Sequence, residues 1–297
     1  MLITKIYCQL DDFYKSFENY LKQNVLPKSS KGRKSKLTIT EISTILVLFH
    51  LSGYSNLKRF YKEHALIHLK SYFPDLVSYN RFVELIPSSI SFLYAFLKFT
   101  TKLNVSCRFA FVDSTKLPVC ENSRIHSHKV FEGLAQRGKD TVGWFYGFKL
   151  HLIINEKGQI LSFDLTAGNI DDRKSLRKMM KDIKGKVLKI FGDRGYISQS
   201  LSKEFLSNGI HLIAKLRKNM KGKLLSVFDY ILSTKRALVE SVNSILKEQL
   251  KIDHTRHRSP VNFIANLLSG LVAYHFKENK PKIDLSFNFK KDALLLV

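Results

Sequence analysis

Three carboxylates in this sequence stand where phosphate chemistry can use them. Asp113 ends the short apolar run 108–113, and Asp193 follows a second run, 187–191, across Gly192. A carboxylate so placed sits at the lip of a sheet, where open α/β sheets hold their ligands. Gly192 and Gly195 flank Asp193 and let backbone and substrate come close. Glu240 lies inside the helical pattern 235–247, and Arg236 and Lys247 fall on its face at helical pitch. Phosphodiester chemistry needs this combination. Two Mg²⁺ ions roughly 3.5–4 Å apart activate the attacking oxygen and stabilise the leaving one, and Mg²⁺ favours a few carboxylates with water and phosphate oxygens. Arg236 would meet a phosphate bidentately and Lys247 as a point charge. The plainer reading of the same residues is a turn former or helix N-cap for each aspartate and a solvated ion pair for Glu240. The pattern alone leaves both open.

The elements that must position these residues change character near residue 103. The stretch 28–36 carries five positive charges among Ser and Gly and reads as a basic linker or arm. Thr38-Ile-Thr-Glu41 is a capping-box pattern that opens an apolar helix. Helical spacing continues at 56–70, 78–86 and 88–102, so residues 1–103 are expected to form a helical, DNA-binding domain with helix-turn-helix-like pairs. After residue 103 come strand candidates at 108–113, 145–154, 159–166, 187–191 and 210–214, with a hairpin at 155–158. Helices are expected from Asp171-Asp172, over 198–207, over 234–251, and from Ser259-Pro260. This is a mixed α/β domain, 104–276, followed by a basic tail, 277–297.

Lys plus Arg is 49 and Asp plus Glu 25, a net charge of +24. Such a surplus draws the chain to polyanions, nucleic acid first, with anionic membrane and ribosomal RNA as rivals. Hydrophobic residues make up 44% of the chain, with 22 Phe, enough for a real core. Cys8, Cys107 and Cys120 lack CxxC spacing, which argues against a disulfide framework or thiolate zinc site and fits a reducing cytoplasm. Acidic Asp11 and Asp12 follow the start in place of a signal peptide's apolar run, and the apolar stretches 42–51 and 263–276 are too short or interrupted to span a bilayer. A soluble protein is expected.

The stretch 118–142 between the first two strands is expected to be a long loop bearing Arg124, His126, His128, Lys129, Arg137 and Lys139, and phosphate contact is the favoured reading. Zinc at His126 and His128 lacks a Cys or third His at ligand spacing. The same holds for His254, Arg256, His257 and Arg258, read as a basic DNA-facing turn. Asn169 and Asp171 suit active-site support or a turn and helix N-cap. Trp144, the single tryptophan, is expected in the core ahead of a base-stacking role. Lys31, Arg33, Lys34 and Lys36 of the basic arm and Lys149 complete the expected DNA contacts.

Several motifs in order resemble the DDE transposases of bacterial insertion sequences: 111–115 (FVDST), 143–152 (GWFYGFKLHL), 165–172 (LTAGNIDD) and 192–196 (GDRGY). The segments 124–139 (RIHSHKVFEGLAQRGK) and 254–259 (HTRHRS) are similar to insertion-sequence family 982 in particular. The likeness covers about residues 111–276, with a weaker, helix-level likeness in front. It assigns the catalytic, metal-holding triad to Asp113, Asp193 and Glu240. Related transposases carry Tyr-x2-Arg-x3-Glu-x6-Lys around that Glu. Arg236, Glu240 and Lys247 match, but Ser233 stands at the Tyr position.

The resemblance implies an RNase-H-like catalytic domain, two Mg²⁺ ions with Mn²⁺ as a substitute, and nicking of double-stranded DNA at terminal inverted repeats. The freed 3′-hydroxyl would then join target DNA, and the protein would act as a homodimer or larger homo-oligomer near the bacterial nucleoid. A structure-specific nuclease or a DNA-binding regulator on the same fold are the alternatives.

Overall fold

A computed structural model of the chain describes residues 2–24, 35–103, 107–214, 224–253, 257–283 and 294–296. Lys31, Arg33, Lys34, His254 and Arg256 lie outside the described residues. The chain forms two compact units, Met1–Thr100 with Leu246–Lys277, and Thr101–Ile245 with Glu278–Val297. The stretch 246–276, read from sequence with the α/β part, groups with the front helices.

The first unit is helical. α1 (Leu2–Asn24) buries Ile6 and Leu10, and its Phe13 ring meets Phe92, Phe96 and Phe99 at centroid separations of 5.0 to 5.8 Å. α2 (Ile39–Leu51) opens on the expected capping box. Glu41 N donates to Thr38 Oγ1 at 3.2 Å, and Thr38 N donates to Glu41 Oε2 at 2.7 Å. α3 (Leu57–Phe60) runs through a π-helical turn, Tyr61–Ala65, into α4 (Leu66–His68). α5 (Tyr79–Leu85) and α6 (Ile90–Leu103) meet at a 3₁₀ turn, Ile86–Ser89. Together they make a run, Tyr79–Leu103, long and apolar enough to cross a membrane by length and composition, which the sequence reading passed over. It buries Phe82, Phe92, Leu93, Phe96 and Leu97, as a core helix pair does.

The second unit is built on a mixed sheet of β1 (Phe109–Cys120), β2 (Gln136–Lys139), β3 (Trp144–Asn155), β4 (Ile160–Ala167), β5 (Lys189–Gly192) and β6 (His211–Ala214). The main order is β4-β3-β1-β5-β6; β4, β3 and β1 pair antiparallel, and β1, β5 and β6 parallel. That order and those directions are RNase-H-like. The parallel pairs need crossovers, which α7 (Asp172–Ile183) and α8 (Gln199–Ser207) provide. Asn155 N donates to Gln159 O across the hairpin, with Gly158 at φ +68°.

Side chains alternate across β1 and so divide the core. Ala110 and Val112 join Leu176, Met179, Leu201 and Phe205 of the two crossover helices. On the other face Phe111 stacks on Phe191 at 5.6 Å, and Phe109 meets Phe228 at 5.2 Å. Phe228 belongs to α9 (Val227–Thr234), which follows β7 (Leu224–Ser226) and precedes α10 (Ala237–Ser244). The single helix expected over 234–251 is therefore broken. It starts earlier, kinks at residues 235–236, and widens into a π-helical turn, Ile245–Gln249.

The segment expected as a long loop is partly structured. It holds a 3₁₀ turn, Asn122–Ser127, and β2, which pairs with the first residues of β3. A Cβ on Gly147 would lie 2.2 Å from the Leu117 carbonyl oxygen, and one on Gly168 2.6 Å from that of Gln136. The motif glycines thus let β1, β2, β3 and the end of β4 approach backbone to backbone.

α11 (Pro260–Phe276) returns the chain to the helical unit against α2, and β8 (Leu294–Leu296) pairs with β7 in the other unit. His50 of α2 is enclosed there, with Nδ1 donating to the Leu250 carbonyl and Nε2 3.0 Å from Ser269 Oγ. Burial pushes its pKa down to about 4. An unfolded His titrates near 6.5, so the unfolded chain takes up a proton first. Stability should be full above about pH 6.5 and fall by on the order of 3 kcal/mol as pH drops to about 4. Thermal melts across that window should show the loss, and His50→Gln should flatten it.

Candidate active site

Asp113 and Asp193 reach one place through sheet register. Phe111 pairs with Phe191 on the adjacent parallel strand β5, so two residues further the same register brings Asp113 level with Asp193. Neighbouring strands lie about 4.8 Å apart. β5 ends at Gly192, whereas β1 continues to Cys120 beside β3. Asp113 is thus not a strand-end residue, as the apolar run implied; it sits where β1 loses its parallel neighbour. The chain after Gly192 turns away in a 3₁₀ turn, Arg194–Tyr196, with Tyr196 N donating to the Asp193 carbonyl. A Cβ on Gly192 would lie 3.0 Å from the Val112 and Tyr196 side chains, a tight fit that asks those side chains to shift.

Alternation puts Asp113 on the face of β1 that α10 covers. Asn243 Nδ2 donates to Asp113 Oδ2 at 3.1 Å, and Arg236 Nη1 lies 3.6 Å from Asp113 Oδ1. Arg236 Nη2 also donates to Glu240 Oε1 at 2.5 Å. The Asp113 side chain is 20% exposed and that of Glu240 52%. Burial pushes the Asp113 carboxyl up to about 6; Arg236 opposes this, while the charges of Glu240 and Asp193 add to it. Asp193 and Glu240 thus both bear on Asp113, and Arg236 is the cation between Asp113 and Glu240.

Sequence reading missed Asn243. It stands three residues after Glu240, so helix geometry places it on the same face, and that spacing was the available signal. Its Oδ1 is buried without a hydrogen-bond partner. Two aspartates, a glutamate and this amide oxygen are the hard donors a divalent cation prefers. Among the described residues no three His, Cys, Asp or Glu are gathered closely enough to hold a metal. The donors fit a divalent ion in kind, and Arg236 would have to yield its place between Asp113 and Glu240 to one.

The other expected contacts are dispersed. Lys149 lies opposite Lys116 of β1 and so on the sheet face away from Asp113. There its ammonium binds Asp172 at 2.8 Å and the Ile170 carbonyl at 3.0 Å, with Ser114 also donating to Asp172. Asp171 caps α7 and pairs with Arg173, which holds its carboxyl down at about 2. Arg124, His126 and Arg137 are exposed on the 3₁₀ turn and β2. Lys247 lies in the π-helical turn, where α-helical pitch no longer fixes its direction. Lys36 and Arg258 are exposed residues of the helical unit, and Arg258 borders a cavity of about 690 Å³ with Lys58, Asn80 and Asn262. Trp144 is 61% exposed, contrary to the expected core position.

A family model described as a transposase DDE domain matches residues 104–260. No curated protein matches the chain. Among solved structures, a piggyBac transposase synaptic complex with hairpin DNA is similar at 11% identity and TM-score 0.49, over 95% of this chain and 74% of that one. A pre-cleavage Mos1 transpososome is similar at 11% identity and TM-score 0.24, over 89% and 88%.

A buried carboxylate whose pKa is raised destabilises the fold once it is charged. That penalty is absent below pH 4 and grows as pH rises through about 6. In the metal-free protein, Asp113→Asn should therefore raise stability at pH 7.5 by about 1–3 kcal/mol. The gain should vanish at pH 4, as read by denaturant melts at both values.

Proposed function

Because the chain belongs to the DDE-domain transposases, we propose that it cuts the ends of its own mobile element and joins them to target DNA. The family is a class of metal-dependent nucleases and strand transferases. In this reading Asp113, Asp193 and Glu240 would hold two Mg²⁺ ions, or Mn²⁺ in their place, which would supply activation of the attacking oxygen and stabilisation of the leaving one. The single observation that supports the assignment is the mostly buried Asp113 carboxyl, level with Asp193 in strand register and met by Arg236, which also holds Glu240.

The chain's own residues have separable tasks. Asn243 fixes the rotation of the Asp113 carboxyl by its 3.1 Å hydrogen bond. Arg236 offsets the carboxylate repulsion, and with a metal bound its guanidinium would be free to meet a phosphate. The helical unit, with Lys36, Lys247 and Arg258 and the basic segment carrying Lys31, Arg33, Lys34 and Lys36, binds the terminal repeats. The net charge of +24 supports duplex DNA as the partner. The motifs at 124–139 and 254–259 favour insertion-sequence family 982. A homo-oligomer in the bacterial cytoplasm, with two ends brought together, completes the proposal.

The test uses a labelled duplex carrying the DNA that flanks the coding gene, with Mg²⁺ or EDTA. We expect nicking at the repeat boundary and a joined product in Mg²⁺ only. Asp193→Asn and Glu240→Gln should each reduce both by at least about a hundredfold while leaving duplex binding intact. Cutting without joining would favour a nuclease; tight binding without cutting would favour a regulator.

A further inference from the structure

The hairpin β2–β3 carries a surface that the carboxylate chemistry does not use. Its turn holds Asp140, which accepts from Val142 N and Gly143 N at 2.9 Å and pairs with Lys116 at 2.7 Å. Val142 in the turn is 83% exposed, and Trp144 immediately after it is 61% exposed. Lys139, directly opposite on β2, places its ammonium 5.6 Å from the indole centroid. Asn122 Nδ2 donates to the Trp144 carbonyl at 2.8 Å, so the backbone beneath the ring is held on both sides. The close approach at Gly147 and Gly168 fixes the same hairpin to the sheet.

The position of this ring also bears on function. Trp144 lines an open groove of about 460 Å³ together with Arg137, Lys139, Asn169, Arg173 and Gly195. Gly195, two residues past Asp193, lines one part of the groove, and Lys149 and Asp172 place another part on the sheet face away from Asp113. Arg173 is committed to Asp171 and Lys149 to Asp172. Arg137 and Lys139 are exposed and remain as cations facing solvent along the groove.

We propose that Trp144 is a stacking platform for one unpaired base of the bound DNA, with Arg137 and Lys139 holding the adjoining phosphates. An exposed indole on a rigid hairpin supplies a flat apolar face, and every base can stack on it. Cations at its edge supply the sequence-independent attraction that tracks a backbone. A paired base inside a duplex cannot offer its face, so the site selects single-stranded or frayed ends over intact duplex. An isolated exposed tryptophan needs no explanation on its own. The held backbone, the two neighbouring cations and the open groove they line give this one a ligand. The inference rests on the transposase reading.

Because Trp144 is the only tryptophan in the chain, its fluorescence reports this site alone. The full chain, in EDTA, is titrated with a mixed-sequence duplex bearing a five-nucleotide overhang and with the same duplex made blunt. Anisotropy of labelled DNA is followed in parallel. The overhang duplex should quench the emission by more than about half and the blunt duplex much less. Trp144→Ala should bind the blunt duplex as before and the overhang duplex about tenfold more weakly, since one stacked base is worth a factor of that size. Trp144→Phe should restore most of the affinity. Overhang DNA that binds by anisotropy without quenching, and with equal affinity for Trp144→Ala, would overturn this inference and leave the transposase reading standing. Failure of both DNAs to bind would overturn the two together.

Discussion

The organisation of the catalytic unit depends on β1 being buried on both faces while carrying a carboxylate. A central strand in a mixed sheet has helices on each side, so its side chains must alternate between two apolar layers. Ala110 and Val112 pack toward the crossover helices, and Phe111 packs the other way against Phe191. Asp113 continues the second direction and therefore faces α10. Its charge is tolerable only because β5 has already ended and because Asn243 and Arg236 meet it. Burial still outweighs these partners and pushes the carboxyl up to about 6.

Much of this arrangement was legible in the sequence. The apolar runs before Asp113 and Asp193, the hairpin at 155–158 and the capping box at Thr38 each follow from local periodicity or turn chemistry, and each is present. Other features depend on partners distant in sequence. The length of β1 beyond Asp113 comes from its antiparallel pairing with β3, which no local pattern announces. The break between α9 and α10 and the π-helical turn after Ser244 replace one expected helix, since propensity does not encode such interruptions. The grouping of 246–277 with the front helices reflects the apolar α11 burying itself against α2, and hydrophobic pattern alone does not specify which apolar surface a helix will choose.

The functional residues divide in the same way. Arg236 and Glu240 meet as their i, i+4 spacing suggests. Lys149, expected to face phosphate, is held by Asp172 on the opposite face of the sheet because strand register, and not sequence proximity to a motif, sets its direction. Trp144 departs furthest from expectation. Residue type favours the core, but β2 pairs only with the first four residues of β3 and leaves the ring at a hairpin mouth. Lys139 on the facing strand sets its ammonium over that exposed ring.

The central claim is that Asp113, Asp193 and Glu240 form one metal-holding site from which a bound ion displaces Arg236. It is tested most directly by Mn²⁺ binding, read by electron paramagnetic resonance of free Mn²⁺. Wild-type protein should be compared with Asp113→Asn, Asp193→Asn, Glu240→Gln and Arg236→Gln. The account predicts that each carboxylate change weakens binding at the same site and that Arg236→Gln strengthens it. Mn²⁺ binding that is indifferent to Asp193→Asn and Glu240→Gln, or that is lost with Arg236→Gln, would contradict it.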